Sequence, residues 1–196
     1  MTVEVRRLTR GETEAVFDDL ARLRITVFRE WPYLYDGDLA YERRYLGNFL
    51  AAPEAVVIGA LEGERLVGAA TASPLTIHHT EFASPLREAG LDPDEIFYFG
   101  ESVLLAGWRG QGTGVRFFEE REAAAREQGF STCVFSAVLR PGDHPLRPPG
   151  HVSLNEFWKR RGYERVERLV THFSWRDAGE NFETAKPMEY WRKMLS

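Results

Sequence analysis

The chain has 196 residues, 43% of them hydrophobic, and 25 Lys and Arg against 30 Asp and Glu give a net charge of −5. That is enough apolar material for one full core over residues 1–196, and the acidic balance excludes a nucleic-acid partner held by a basic surface while favouring a cationic small molecule or a peptide amine. The single cysteine, Cys133, excludes an intrachain disulfide, no apolar run reaches membrane-spanning length, and the polar, charged opening Met1 to Arg10 is no secretory leader, so a cytoplasmic protein without a membrane partner is expected.

Val3, Val5 and Leu8 predict a short first strand. A helix starts at Thr13 to Phe17, carries its apolar face through Leu20, Leu23, Val27 and Phe28, and ends before Pro32. A second helix is expected over Asp38 to Leu50, closed by Pro53. Ala55 to Leu61 and Leu66 to Ala72 read as apolar strands around the turn Glu62-Gly63-Glu64. Ser73 to Pro93 is irregular, with a short helix near Ser84 to Ala89, and Ile96 to Leu105 is the next strand. Gly112 to Gln128 predicts a helix stopped by Gly129, with Glu122 and Arg126 at pairing distance. Ser131 to Leu139 is again a strand, in which Cys133 is a small core residue. Ser153 to Arg161 reads as a short helix closed by Gly162, Leu169 to Trp175 alternates like a strand, and Met188 to Leu195 is expected as a terminal helix. The order β-α-α-β-β-β-α-β-α-β with a tail describes a mixed α/β fold without internal repeats.

The most informative stretch runs from Leu104 to Phe118. A strand-like run feeds a turn with glycine at alternate positions, Gly110, Gly112 and Gly114, and the turn opens a helix. Such a backbone passes close to a ligand, and the helix start offers free N–H groups and a positive dipole end to an anion. Arg109 adds a permanent charge at the mouth, and together these form a pyrophosphate cradle. A dinucleotide fold would place the turn after its first strand with an acid about 20 residues on. Here the turn lies past mid-chain, and Ser131 to Leu139 contains no acid. The Gly-Lys-Ser/Thr of a P-loop is absent too.

The order Arg-x-x-Gly-x-Gly, read as Arg109, Gly112 and Gly114, resembles the acetyl-CoA signature of the GNAT N-acetyltransferase superfamily. The resemblance covers Val3 to Trp175 in element order, with its specific motif confined to Glu101 to Phe118. It implies a twisted, mainly antiparallel sheet with flanking helices, in which two central parallel strands splay apart to admit the pantetheine arm. It implies acetyl-CoA as acetyl donor, with the backbone of Leu104 and Leu105 on the pantetheine amides and that of Gly110, Gln111, Gly112, Thr113 and Gly114 on the pyrophosphate.

Acetyl transfer from a thioester to an amine requires an acceptor for the amine proton, a stabilised oxyanion and a departing thiolate. Glu101, eight residues before Arg109 in an otherwise apolar strand, is the candidate base. Burial there would raise its pKa; a strand carboxylate facing solvent or paired with an arginine is the alternative. Where the resemblance often keeps a tyrosine as general acid, anchored on Gly162-Tyr163, this chain has Trp158, whose indole N–H is a very poor acid. Asn155 is a candidate CoA contact. Phe28, Trp31, Tyr33 and Tyr35, close to Asp36 and Asp38, suggest an aromatic and acidic cage for the acceptor amine. His144 and His151 lie in the proline-stiffened segment Arg140 to His151, a candidate substrate lid. His78-His79 has no further ligand-type neighbours at metal spacing, so no metal is assigned, and His172 reads as structural.

The leading reading is an acetyltransferase acting on a primary amine of a small molecule, an amino-acid-like acceptor or a peptide by direct attack; a homodimer is left open. A non-catalytic acyl-CoA-binding module is the second reading. Another acyl transfer on the same scaffold, such as acyl-homoserine lactone synthesis, is the third and shares only Arg24-x-x-Val27-Phe28.

Overall fold

The computed structural model describes residues 3–78 and 82–195, so His79 of the His78-His79 pair lies outside the described residues. The apolar runs pair into one seven-stranded sheet: β1 (Glu4–Arg7), β2 (Val56–Glu62), β3 (Arg65–Pro74), β4 (Ile96–Leu104), β5 (Thr132–Val138), β6 (Glu164–Trp175) and β7 (Thr184–Met194). Their spatial order is β1-β2-β3-β4-β5-β7-β6. Every neighbouring pair is antiparallel except β4 and β5. Gly63 takes the positive φ of 61° that the tight β2–β3 turn needs.

Helices cover both faces. On one side lie α1 (Arg10–Ala15), α2 (Phe17–Phe28) and α3 (Leu39–Leu50). Thr9 and Glu12 start α1 with a capping box, and the Asp38 side chain accepts from the Tyr41 N–H to start α3. Leu20, Leu23, Leu46 and Phe49 pack from these helices onto Val57, Leu61, Ala69 and Val103. The short α4 (Leu75–His78) and α5 (Ala83–Glu88) extend this layer. On the other side α6 (Thr113–Glu127) buries Phe117 against Ile58, Val67 and Ala70, and Phe118 and Ala125 against Phe97, Phe99, Cys133 and Phe135. The short α7 (Asn155–Lys159) lies beside the start of α6, where a Cβ on Gly114 would meet the Phe157 ring at 3.3 Å.

Two local expectations change. Met188 to Leu195 is not a helix: most of it belongs to β7, which inserts between β5 and β6. Met188, Glu189, Tyr190 and Trp191 are all buried, so the strand shows no alternation, and Pro187 argues locally against a strand interior. Only the long-range register, Ser136 opposite Tyr190 and Val170 opposite Glu189, makes it a strand. Strand β6 also begins earlier than Leu169, at Glu164, and its register with β7 shifts between Arg165 and Val170. Glu122 spends its carboxylate chiefly on Lys193 (2.8 and 2.9 Å) and the Tyr163 hydroxyl (3.1 Å), with Arg126 farther off at 3.8 Å. Cys133 is fully buried, and burial pushes its thiol up to about 12.

The parallel contact is short. Ile96, Phe97 and Tyr98 pair with Thr132, Cys133 and Val134, and there the ladder stops although both strands run on. Beyond it the Tyr98 hydroxyl and Ser136 Oγ, 2.7 Å apart, bridge the opening wedge.

Candidate active site

Strand β4 carries a one-residue bulge where the wedge opens. Opposite it β3 advances two residues, Ala70 to Ala72, while β4 advances three, Phe99 to Ser102. The extra residue reverses the alternation, so Glu101 faces the α2–α3 side as Tyr98 does, although an unbroken strand would separate them. Thr71 Oγ1 fills the bulge and accepts from the Glu101 N–H at 3.2 Å. A Cβ at position 100 would lie 2.6 Å from that oxygen, which is why Gly100 stands there. From below, the buried Arg121 donates to the carbonyls of Phe117 (3.1 Å) and Glu101 (3.3 Å), with its guanidinium 4.2 Å from the Phe99 ring centre. Burial pushes this guanidinium down to about 10.

The Glu101 side chain is buried and not alone. Its Oε1 lies 2.6 Å from Arg24 Nη1, and its Oε2 lies 3.5 Å from the Tyr45 hydroxyl. Arg24 also donates through Nε to the fully buried Glu42. Burial opposes the Arg24 charge, but Glu101, Tyr45 and Glu42 more than offset it and hold the guanidinium above its ordinary value. Around this trio is a cavity of about 500 Å³, lined among others by Phe28, Tyr33, Tyr35, Tyr45, Tyr98 and Trp175. Burial pushes the Tyr33 hydroxyl up to about 12, and burial followed by the Glu42 charge raises that of Tyr35. Tyr98 is likewise raised well above its usual value by burial, so it keeps its proton at the mouth of the wedge.

The glycine turn lies past the other end of β4. Gly110 and Gly112 have φ of 75° and 87°, with nothing within 4 Å of either built Cβ, so glycine is needed for backbone conformation rather than for space. Gly112 caps α6, and the Val115 and Arg116 N–H groups return to its carbonyl. Among the described residues, the N–H groups of positions 110–114 make no hydrogen bond, leaving them for an anion. Arg109 donates from Nε to the Leu104 carbonyl (2.9 Å) and from Nη1 to Glu30 (2.7 Å), while the Gln111 side chain folds back onto the Gly107 carbonyl. A splayed strand pair leading to a donor-rich helix start fits a pantetheine arm that ends in a pyrophosphate.

No protein-family model matches the sequence, and no curated protein matches it. Solved structures do match in shape. The ribosomal-protein-alanine N-acetyltransferase of Brucella melitensis superposes with a TM-score of 0.61 at 15% identity, over 98% of this chain and 99% of that one. An acetyltransferase of the GNAT family from Staphylococcus aureus superposes with a TM-score of 0.59 at 12% identity, over 100% of both chains. YncA of Salmonella typhimurium, solved with its cofactor acetyl-CoA, superposes with a TM-score of 0.58 at 11% identity, over 100% of this chain and 95% of that one. The fold is that of the GNAT acetyltransferases.

On this GNAT fold the sequence-predicted site residues fall into three groups. Glu101, Phe28, Tyr33 and Tyr35 share the cavity. Gly110 to Gly114 form the helix-start cradle, and Leu104 leads to it. Leu105 turns away: its N–H is bonded to the Val67 carbonyl of β3 at 3.0 Å and its carbonyl accepts from Trp108. Asn155 is engaged locally, its N–H and side chain both bonded to Ser153 Oγ. Trp31, His144 and His151 do not line the cavity and pack together instead, tilted and edge-on, with ring centres 5.1 and 5.8 Å from Trp31. Trp158 packs between Phe135 and Trp191, each 5.1 Å away. Sequence reading missed Arg24, Glu42, Tyr45, Ser136 and Trp175. A signal existed for two of them: Arg24 follows Leu20 at i+4, and Glu42 sits in the stripe Leu39, Glu42, Leu46, Phe49. A charge on an apolar helix stripe implies a buried partner. Among the described residues no group of three His, Cys, Asp or Glu is placed to hold a metal ion, and no helix is long and apolar enough to cross a membrane.

Proposed function

We propose that the chain is an acetyl-CoA-dependent acetyltransferase acting on an amine. The observation that carries this reading is the joint placement of the Gly110–Gly114 cradle and the buried Glu101 along one strand and its turn, on either side of the wedge between β4 and β5. The donor supplies an acetyl thioester. The acceptor nitrogen bonds to its carbonyl carbon as the carbon–sulfur bond breaks, with the electron pair leaving on sulfur. In this reading the amine proton goes to Glu101 Oε2, the oxygen outside the Arg24 ion pair, directly or through water. Tyr98, bonded to Ser136 across the wedge, holds a proton that can be donated to the departing thiolate.

Calorimetric titration with acetyl-CoA and thiol release with an amine panel test the two halves separately. Gly112→Asp forces a side chain onto a residue with φ of 87° and sets a negative charge against the pyrophosphate. Acetyl-CoA binding is expected to vanish while the far-ultraviolet circular dichroism is unchanged; unchanged affinity in the folded variant would remove the cradle. The ion pair of Glu101 with Arg24 favours one competing reading, a non-catalytic acyl-CoA-binding module. That module would bind acetyl-CoA and release no thiol with any amine.

A further inference from the structure

The cavity beside Glu101 has a composition that selects among amines. Its charged lining consists of Arg24, Glu42 and Glu101, two carboxylates against one guanidinium. All three are buried, at 7%, 0% and 6% exposure. Arg24 is engaged by both acids, through Nε to Glu42 and Nη1 to Glu101. The lining is therefore one positive charge short of balance where solvent screening is weak, Arg121 lying outside it over the Phe99 and Phe118 rings, and an uncompensated buried charge is costly. A cation entering the cavity relieves that cost. A carboxylate entering it finds no uncommitted cation among the lining residues.

The rest of the lining is aromatic on two sides. Phe28, Tyr33 and Trp175 form one wall, with ring centres 4.8 and 5.9 Å apart in sequence along it. Phe82, Tyr98 and Phe173 form the other, with Phe82 5.3 Å from Tyr98 and 4.8 Å from Phe173. Tyr35, Tyr41 and Tyr45 complete the lining, with the Tyr45 ring under Arg24 and its hydroxyl toward Glu101. About 500 Å³ between such walls suits a body of one or two flat rings. Ring faces also attract a cation.

Resting on the acetyltransferase reading, we propose that the acceptor is a primary amine carried on a short arm from an aromatic ring and bearing no carboxylate. Its nitrogen sits by Glu101 and Glu42 and its ring lies between the two aromatic walls. α-Amino acids are rejected because their carboxylate would add a second negative charge to a cluster already in excess. Aliphatic diamines bring charge without the flat body.

The test uses the full chain with 2-phenylethylamine and tryptamine against L-phenylalanine, putrescine and a peptide with N-terminal alanine. Thiol release is followed at saturating acetyl-CoA, and amine binding is measured by calorimetry without acetyl-CoA. The expected kcat/KM for 2-phenylethylamine exceeds that for L-phenylalanine by about 100-fold or more, the scale set by burying an unpaired charge, and that for putrescine by about tenfold. Glu42→Gln is expected to weaken 2-phenylethylamine binding about tenfold or more and to leave acetyl-CoA affinity unchanged. Because Glu42 braces a buried arginine, Phe173→Ala serves as a second variant. It touches no charge and should raise KM for the aromatic amines more than for putrescine. Acetylation of the amino acid, the diamine or the peptide at least as fast as of the aromatic amines would overturn the proposal and leave the acetyltransferase reading standing. Binding of 2-phenylethylamine but not L-phenylalanine, with no amine acetylated, would sink that reading and keep the cavity's selectivity. Aromatic amines that neither bind nor react would overturn the proposal whatever the other amines do.

Discussion

Glu101 presents two unlike oxygens, one held 2.6 Å from Arg24 and one 3.5 Å from the Tyr45 hydroxyl. Replacing it with glutamine removes the proton acceptor while Arg24 keeps Glu42. Turnover of Glu101→Gln is expected to fall by about 10²–10⁴-fold, the usual worth of general-base catalysis, with acetyl-CoA affinity nearly intact by calorimetry. A smaller loss with the same pH profile would assign the proton to water or another residue. Trp158 answers a different question. Its contacts with Phe135 and Trp191 are packing contacts, so Trp158→Phe should lower the unfolding free energy by roughly 1–2 kcal/mol and leave the basic limb of the pH–rate profile in place. Trp158→Tyr should behave the same way. A clear rate gain would mean instead that this slot faces the sulfur and that thiolate departure limits turnover.

At the scale of elements, the β4 bulge decides which face Glu101 occupies. Gly100 admits Thr71 Oγ1, which in turn holds the Glu101 N–H. Gly100→Ala would push a methyl against that oxygen and is expected to cost about 1–3 kcal/mol by denaturant unfolding, with a drop in kcat larger than any change in acetyl-CoA affinity. Thr71→Ala in the same chain removes the obstructing hydroxyl. Stability should then recover relative to the sum of the single changes, as coupled neighbours do in a double-mutant cycle. Strict additivity would count against the bulge contact. The bulge was not legible in Ile96 to Leu105, since glycine within a strand marks a close approach without naming what approaches. By contrast the cradle was legible, because its need for left-handed φ at Gly110 and Gly112 is local.

Across the molecule, one ionic tie fixes the cavity wall to the sheet. Arg140, following β5, donates to both Asp177 oxygens (2.7 and 2.9 Å) and to the carbonyls of Pro32 and Tyr33. Lys186 of β7 stands 3.3 Å from the same carboxylate. The α2–α3 connection is strapped down further by the Asp36 and Ala178 N–H groups, which donate to Arg176 and Leu34. Burial would raise the Asp177 carboxyl, but Arg140 and Lys186 outweigh it and hold it below its ordinary value of 3.8. A carboxyl depressed in the folded state contributes stability above its unfolded pKa and loses it as pH falls through the folded one. The Asp177 contribution is therefore complete at neutral pH and disappears below about pH 4. Asp177→Asn should lower the melting temperature at pH 7 and flatten its fall below about pH 4, both read by calorimetric scans. An equally steep acid limb in the variant would assign the acid sensitivity to other carboxylates.

By itself the sequence determined what short-range chemistry dictates: six of the strands, the main helices with their caps and stops, and a glycine turn whose backbone can hold a pyrophosphate. Those follow from periodicity and allowed φ within a few residues. Only the tertiary structure decided what depends on partners far away in the chain. Strand β7 exists because β5 and β6 flank it, against the local signal of Pro187 and an unbroken buried run. Glu101 joins Arg24 and Glu42 because a bulge turns it toward helices more than 50 residues earlier, as its separation of 56 from Tyr45 illustrates. Trp31 leaves the aromatic group it neighbours in sequence and packs against His144 and His151. Aromatic and acidic side chains satisfy many surroundings equally well, so their local pattern names a type of site but not its members, and the long-range pairing of the sheet selects them.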